Sequence, residues 1–263
     1  MNYIKLYFSY IKRSFISRLE YKKDTFISIL SFLFTNVFSI LSIYFIIQSI
    51  PSLKGWDMYQ LGFLYGFSML AVSIDHLFTD DLWLVAYRKV QTGELDKYFL
   101  RPIPVLFQVI AEVFQPEGFG ELIVGITMVT TCSFFVNITW SVEIILLLII
   151  SVLCGALLIS SLKIIFASLA FPFKRSGQLL QIVYNFISYT RYPISIFPGF
   201  IKSFLTFILP FALFISIPVE VIFFSTMNVY VLILIEIGVA IGFFVLSLFI
   251  WHMLEKKYQS SGS

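Results

Sequence analysis

Four glutamates fall within or beside long apolar stretches, where an ionisable side chain is costly and is therefore a candidate for function. They are Glu112, Glu117, Glu121 and Glu236. Glu117 and Glu121 are four residues apart, so a helix would present both on one face, where they could bind a proton or a cation. The competing interpretation, which we favour, is that the apolar helix begins near residue 118 and leaves Glu112 and Glu117 at the aqueous interface.

Glu236 lies about two turns inside the last apolar stretch, and Arg191 is its candidate partner. A second acidic group surrounds a histidine, and its members are Asp75, His76, Asp80 and Asp81. Its spacing matches no metal-binding arrangement, so we interpret it as the end of a helix at the membrane interface.

The sequence contains no phosphate-binding loop, no HExxH pair and no nucleophile elbow. Its two cysteines, Cys132 and Cys154, lie inside apolar runs, which favours packing or lipid-facing positions over a disulfide or a zinc site. We therefore expect no enzyme activity, no cofactor and no metal in this chain alone.

The composition indicates an integral membrane protein. Apolar residues make up 59% of the chain and charged residues 13%, whereas a soluble domain is about half apolar and a quarter charged. A membrane-spanning helix needs about 20 apolar residues. Six stretches satisfy this requirement: Phe26–Ile47, Tyr59–Phe78, Leu106–Val136, Val142–Leu169, Leu179–Phe197 and Val229–Met253. Because Gln115-Pro116-Glu117-Gly118 interrupts the third stretch, we expect that helix to be kinked or split.

Basic residues give the orientation of these spans. Fifteen lysines and arginines flank one side of a six-span arrangement, and only Lys54, Arg191 and Lys202 flank the other. The side richer in Lys and Arg faces the cytoplasm. The sequence therefore predicts an all-α protein with six transmembrane helices and both termini in the cytoplasm.

Two further segments are irregular. Residues 1–25 carry an apolar stripe at helical spacing opposite a basic face, which predicts an amphipathic helix on the inner membrane surface. Residues 198–228 are apolar but contain Pro198, Pro210 and Pro218, which favours short re-entrant helices on the outer side over a seventh span. The domains follow as 1–25, a transmembrane domain 26–253 and a cytoplasmic tail 254–263.

The cytoplasmic connection 79–104 holds the most specific pattern, within the stretch Tyr87–Gln108. It is a short, charged, proline-stopped element, interpreted either as an ordinary basic loop or as a docking element for a soluble partner. Two GxxxG pairs, Gly62 with Gly66 and Gly238 with Gly242, allow close helix packing, within the chain or between copies.

At these residues the sequence resembles the ABC-2-type exporter permeases, in the compact branch of ABC-2 family transporter proteins. The resemblance extends over essentially the whole chain. It rests on GELDKYFLRP at residues 93–102, Tyr192-Pro193 followed by Ile196-Phe197-Pro198, Leu209-Pro210 with Pro218, and the ending Trp251 to Tyr258-Gln259-Ser260-Ser261-Gly262-Ser263.

The resemblance implies an N-terminal elbow helix, six spans and short re-entrant helices before the last span. It also implies a second permease subunit, identical or different, and two cytoplasmic ATPase subunits that would bind ATP and Mg²⁺. The residues expected to couple ATP hydrolysis to the spans are Gly93, Glu94, Leu95, Asp96, Arg101 and Pro102.

The sequence thus predicts a permease subunit of an ATP-driven exporter in a bacterial plasma membrane, in contact with lipid and not with nucleic acid. Its apolar, aromatic spans favour an amphipathic cargo such as a drug, a lipid or a peptide. The alternatives are a self-sufficient ion- or proton-coupled transporter that uses the four glutamates, and a membrane-embedded lipid enzyme.

Overall fold

The computed structural model describes residues 3–20, 54–136 and 138–260, together with residues 23, 26–28, 30–31, 34–35, 37–38 and 41. Helices dominate these residues, and no strand occurs among the elements assigned to them. The α-helices are α1 Tyr3–Glu20, α2 Met58–Thr79, α3 Asp81–Leu84, α4 Asp96–Phe99, α5 Val105–Glu112, α6 Gly118–Ser133, α7 Val142–Ser168, α8 Ala170–Phe173, α9 Gly177–Ile187, α10 Gly199–Ser203, α11 Phe211–Phe214, α12 Ser216–Phe224 and α13 Val229–Glu255.

Three helical segments are long and apolar enough to cross a membrane: Met58–Thr79, Val142–Phe173 and Val229–Glu255. A rise of about 1.5 Å per residue makes each one longer than the ~30 Å hydrocarbon core of a bilayer. They match the second, fourth and sixth predicted spans. Each begins at a side-chain cap that satisfies free backbone N–H groups, and the caps are Asp57, Ser141 and Asn228.

The third predicted span, Leu106–Val136, is split into α5 and α6, which confirms the expected interruption at Gln115–Gly118. Pro116 lacks a backbone N–H and disfavours helical geometry at Gln115, whose N–H instead donates to the Leu77 carbonyl at 3.2 Å. The expected start of the apolar helix near residue 118 is confirmed, because α6 begins at Gly118.

The fifth predicted span, Leu179–Phe197, is shorter than expected. The α-helix α9 has 11 residues and extends about 16 Å, after which a 3₁₀ turn covers Ser188–Arg191. Tyr192 then adopts an extended conformation, as the steric demand of Pro193 requires of the residue before it. The helix therefore ends before residues 192–197, which the prediction had included.

Residues 198–228 form short helices broken near proline, as the sequence predicted. Pro210 separates α11 from the preceding π-helical turn Phe204–Ile208. Pro218 lies in the first turn of α12, where its missing N–H removes no helical hydrogen bond. Phe211, Phe214 and Val219 are buried against the long helices and make this segment part of the main hydrophobic core.

The N-terminal segment is helical over α1, which packs beside α5. The Tyr3 ring meets the Phe107 ring edge-on at 5.3 Å, and Ser14 Oγ accepts a hydrogen bond from the Phe114 N–H at 3.2 Å. The first predicted span, Phe26–Ile47, lies mostly outside the described residues, as do Ser261, Gly262 and Ser263.

Helices α2 and α6 approach closely at glycine. A Cβ placed on Gly66 would lie 2.6 Å from the Met128 Cβ and 3.0 Å from the Gly125 carbonyl oxygen. The Gly62–Gly66 pair therefore serves packing within the chain. Gly238 and Gly242 differ, because a Cβ on either would meet no described atom within 4 Å.

This difference supplies a matched test. We expect Gly66→Ala to lower the free energy of unfolding by about 2 kcal/mol, because backbone and Cβ atoms must move apart to admit the methyl group. Gly242→Ala should leave the protein at least as stable, since alanine favours the helix. Denaturant unfolding in detergent micelles measures both, and an equal loss in the two variants would contradict the close packing.

Candidate functional site

The connection between α2 and α6 is a folded element rather than an open loop. Its chain runs through the π-helical turn Val85–Lys89, reverses at Gly93, forms α4 and enters α5 after Pro104. Gly93 has a φ of 77°, a left-handed conformation that glycine adopts without steric cost. We call residues 85–104 the coupling element.

A hydrophobic cluster holds the coupling element against the ends of the long helices. Leu95 and Tyr98 are fully buried within it. Its other members come from the coupling element and from α3, α5, α7, α8, α9 and α13, and are Leu82, Val85, Ala86, Val90, Val105, Val109, Ile164, Ala167, Ala170, Phe171, Leu180, Trp251 and Leu254. Because closely packed side chains transmit displacement, a push on the coupling element would reach several long helices.

Ion pairs secure the same element. Lys89 Nζ lies 2.5 Å from Asp81 Oδ2 and donates to the Tyr98 hydroxyl at 2.9 Å. Glu112 accepts from the Tyr98 hydroxyl and pairs with Lys97 at 3.1 Å. Glu112, at the end of α5, therefore belongs to this ion-paired network of the coupling element.

The other predicted coupling residues make distinct contacts. Arg88 pairs with Glu94 at 3.2 Å on the surface. Arg101 donates a hydrogen bond to the Tyr10 hydroxyl on α1 at 3.3 Å. Pro102 is exposed beside it. Arg101 thus connects the coupling element to the N-terminal helix.

Asp96 faces the C-terminal end of the chain. Its Oδ1 accepts from the Tyr258 hydroxyl and its Oδ2 from Ser260 Oγ, each at 2.6 Å. Hydrogen bonds from Ser260 and Tyr258 lower the pKa of Asp96 below its ordinary value. Burial, together with the bonded Asp96 carboxylate, raises the pKa of Tyr258. Asp96 is therefore ionised and Tyr258 neutral at physiological pH.

The outer face of the coupling element carries an apolar projection. Leu100 is 85% exposed and stands next to Phe99, which is 42% exposed. Lys97, Arg101 and Pro102, close to Leu100 in the sequence, are also exposed. An exposed leucine near exposed basic residues has the composition of a protein–protein contact, in which an apolar centre is enclosed by a polar rim.

A second polar site lies inside the helix bundle. Lys163 on α7 is fully buried, and its Nζ lies 2.7 Å from Asp75 Oδ2 and 3.0 Å from Asp80 Oδ1. Asp75 also accepts hydrogen bonds from Thr79, Ser160 and Tyr184. We call Asp75, Asp80 and Lys163 with these hydrogen-bonding partners the buried ionic cluster. A buried lysine persists only with such compensation.

A polar cavity of about 170 Å³ adjoins the buried ionic cluster. Its lining includes Ser28, His76, Asp80, Gln115, Glu117 and Gly118. His76 Nδ1 lies 2.7 Å from Glu121 Oε2 and ties α2 to α6. The structure thus places Glu117 at the cavity and Glu121 beside it, near the start of α6 rather than in its middle.

Glu236 occupies a separate buried position between α7 and α13. Both of its carboxyl oxygens lie within 2.9 Å of Ser151 Oγ. Arg191, the candidate partner, lies over the Tyr65 ring at 5.4 Å instead, so the predicted pairing is wrong. Glu236 makes no ion pair with any described lysine, arginine or histidine.

A model of the family described as "ABC-2 family transporter protein" matches residues 8–262. The chain belongs to the ABC-2 transporter family. No curated protein matches it. The match includes both the coupling element and the described tail, and the resemblance inferred from the sequence motifs is confirmed.

Sequence reasoning missed the buried ionic cluster of this ABC-2 transporter. It counted Lys163 with the basic cytoplasmic residues and interpreted Asp75 as part of a helix end at the membrane interface. The available signal was Lys163 itself, since a lysine embedded in an apolar helical stretch requires a counter-ion. Sequence spacing could not show which acid is the counter-ion of Lys163, because Asp75 and Lys163 are far apart in the chain.

Proposed function

We propose that this ABC-2 transporter is the membrane permease subunit of an ATP-driven exporter, powered by separate cytoplasmic ATPase subunits that bind ATP and Mg²⁺. The family match carries the proposal. The coupling element supports it, because a folded, ion-paired element with an exposed leucine is suited to receive a rigid protein partner. Closure of the ATPases would press on this element and shift the helices packed against it.

The proposal includes six spans in a bacterial plasma membrane, with both termini in the cytoplasm. In it, α1 is an interfacial elbow helix, supported by exposed apolar side chains at Ile4, Phe8 and Phe15. Residues 198–228 are re-entrant on the outer side. The exporter contains a second permease subunit, for which the exposed Gly238–Gly242 face of α13 is available.

The proposed cargo is amphipathic, such as a drug, a lipid or a peptide. A groove of about 310 Å³ between α2, α6 and α7 supports this assignment, because its described lining is entirely apolar. The lining residues are Phe67, Leu70, Ile74, Leu122, Ile126, Val129, Leu148, Ile149, Val152 and Leu153. Such a groove would accept an aliphatic or aromatic portion of the cargo.

A self-sufficient ion- or proton-coupled transporter is the second candidate. The buried ionic cluster and Glu236 favour it, since ionisable groups inside a bundle mark ion pathways in many transporters. This candidate requires no ATPase. Transport of an ion by the purified chain in liposomes, without ATP, would support it over the exporter.

Purification of the tagged, full-length chain from its native membrane in mild detergent tests the exporter proposal. We expect an ATP-binding-cassette ATPase to co-purify in a fixed ratio and to hydrolyse ATP in the complex. Recovery of the chain without any ATPase, across several mild detergents and lipid nanodiscs, would contradict the proposal.

A further inference from the structure

The C-terminal tail is bound to the coupling element by several side-chain contacts. After α13 ends, Tyr258 and Ser260 donate to the two carboxylate oxygens of Asp96, each at 2.6 Å. The Tyr258 ring stacks on Phe99, with centroids 4.9 Å apart and planes 11° from parallel. Lys174 Nζ donates to the Gln259 carbonyl oxygen at 2.6 Å.

These contacts offset the conformational entropy that the tail loses when it becomes ordered. Hydrogen bonds to an ionised carboxylate are stronger than neutral ones, and offset aromatic stacking adds to them. The Tyr258 ring also packs edge-on against Phe171 on α8, and Phe171 in turn contacts Trp251 of α13 at 4.9 Å. The tail therefore lies between α4 and the end of the last long helix.

We propose that residues 257–260 form a strap that fixes α4 to the end of α13, with Asp96 as its positioning residue. The strap sets the orientation of Phe99 and Leu100, so the ATPase docking surface depends on the tail as well as on the coupling element. Asp96 acts through Tyr258 and Ser260 rather than through contact with the ATPase. The docking part of this inference rests on the proposed exporter function; the strap does not.

The strap itself is tested by hydrogen exchange on the full-length protein in nanodiscs. Asp96→Asn keeps the side-chain shape but removes the charge and one acceptor. Loss of a hydrogen bond to a charged group should speed exchange of the peptide containing residues 256–260 by about tenfold. Glu94→Gln is the matched control, because it neutralises an acid of the same element that pairs with Arg88.

Exchange that rises in Asp96→Asn and not in Glu94→Gln supports the strap. Equal exchange in wild type and Asp96→Asn overturns it. Hydrogen exchange of the tail can be measured without an ATPase. A failure of the strap can therefore be distinguished from a failure of the exporter proposal, in which no ATPase co-purifies.

The docking role is tested by a double-mutant cycle on ATPase binding. Tyr258→Phe removes the hydroxyl that donates a hydrogen bond to Asp96, and it keeps the ring that stacks on Phe99. We expect Tyr258→Phe, Asp96→Asn and the double variant to weaken ATPase binding by a similar factor, with thermal stability unchanged in all three. Weakening by Asp96→Asn alone would show direct ATPase contact and overturn the positioning role.

Discussion

Lys163→Met is expected to lower the free energy of unfolding by about 3–5 kcal/mol, because it leaves a buried carboxylate without its cation. Asp75 is fully enclosed, and Lys163 is the cation in contact with it at 2.7 Å. Thr79, Ser160 and Tyr184 would still donate hydrogen bonds, but they carry no compensating charge. This is the largest effect on stability that we expect from a single substitution.

Denaturant unfolding in detergent micelles measures the loss. Lys256→Met is the matched control, because it removes the same charge from an exposed position just after α13 and should change stability little. The double variant Lys163→Met with Asp75→Asn should recover part of the loss, since it removes the uncompensated charge.

Two outcomes would contradict the buried ionic cluster. One is a Lys163→Met variant as stable as Lys256→Met. The other is a double variant in which the losses of the two single substitutions simply add, because adding losses indicate residues that do not interact.

Leu100→Glu is expected to weaken ATPase binding by at least about 30-fold, which corresponds to roughly 2 kcal/mol for a central apolar contact. Leu100 is 85% exposed, so its side chain contributes little to the stability of the isolated permease. The substitution places a charge where the proposed contact excludes water, and an unpaired charge in such a place is costly.

The amount of ATPase retained on the immobilised, tagged permease gives the measurement. Phe134→Glu is the matched control, because Phe134 is also 85% exposed and lies at the opposite end of α6 from the coupling element. If Leu100→Glu and wild type retain equal amounts of ATPase, in a complex that assembles normally, Leu100 is not part of the docking surface.

Several features of the fold could be predicted because they depend on short-range chemistry. The helices Met58–Thr79, Val142–Ser168 and Val229–Glu255 follow from long apolar runs between polar caps. The split at Pro116 follows from the missing N–H of proline and its clash with the preceding residue. The same rule operates at Pro193, where the prediction relied on hydropathy and carried the helix too far.

The partners of the polar groups could not be predicted, because they depend on how the helices rotate and pack. Apolar composition places Glu236 inside a bundle, but only the packing of α7 against α13 brings Ser151 to it rather than Arg191. The partner of Glu112 also depends on tertiary structure, because the fold of the coupling element places Lys97 beside it.

By itself, the sequence determined the class of this protein: apolar helices long enough for a membrane, a charged element between them and motifs of the ABC-2 family. Each of these depends on residue type or on neighbours within a few positions. Only the tertiary structure brought Lys163 to Asp75 and the tail residues Tyr258 and Ser260 to Asp96. Those contacts join residues more than 80 positions apart, and helix packing selects them among many acids and hydroxyls of equal chemistry.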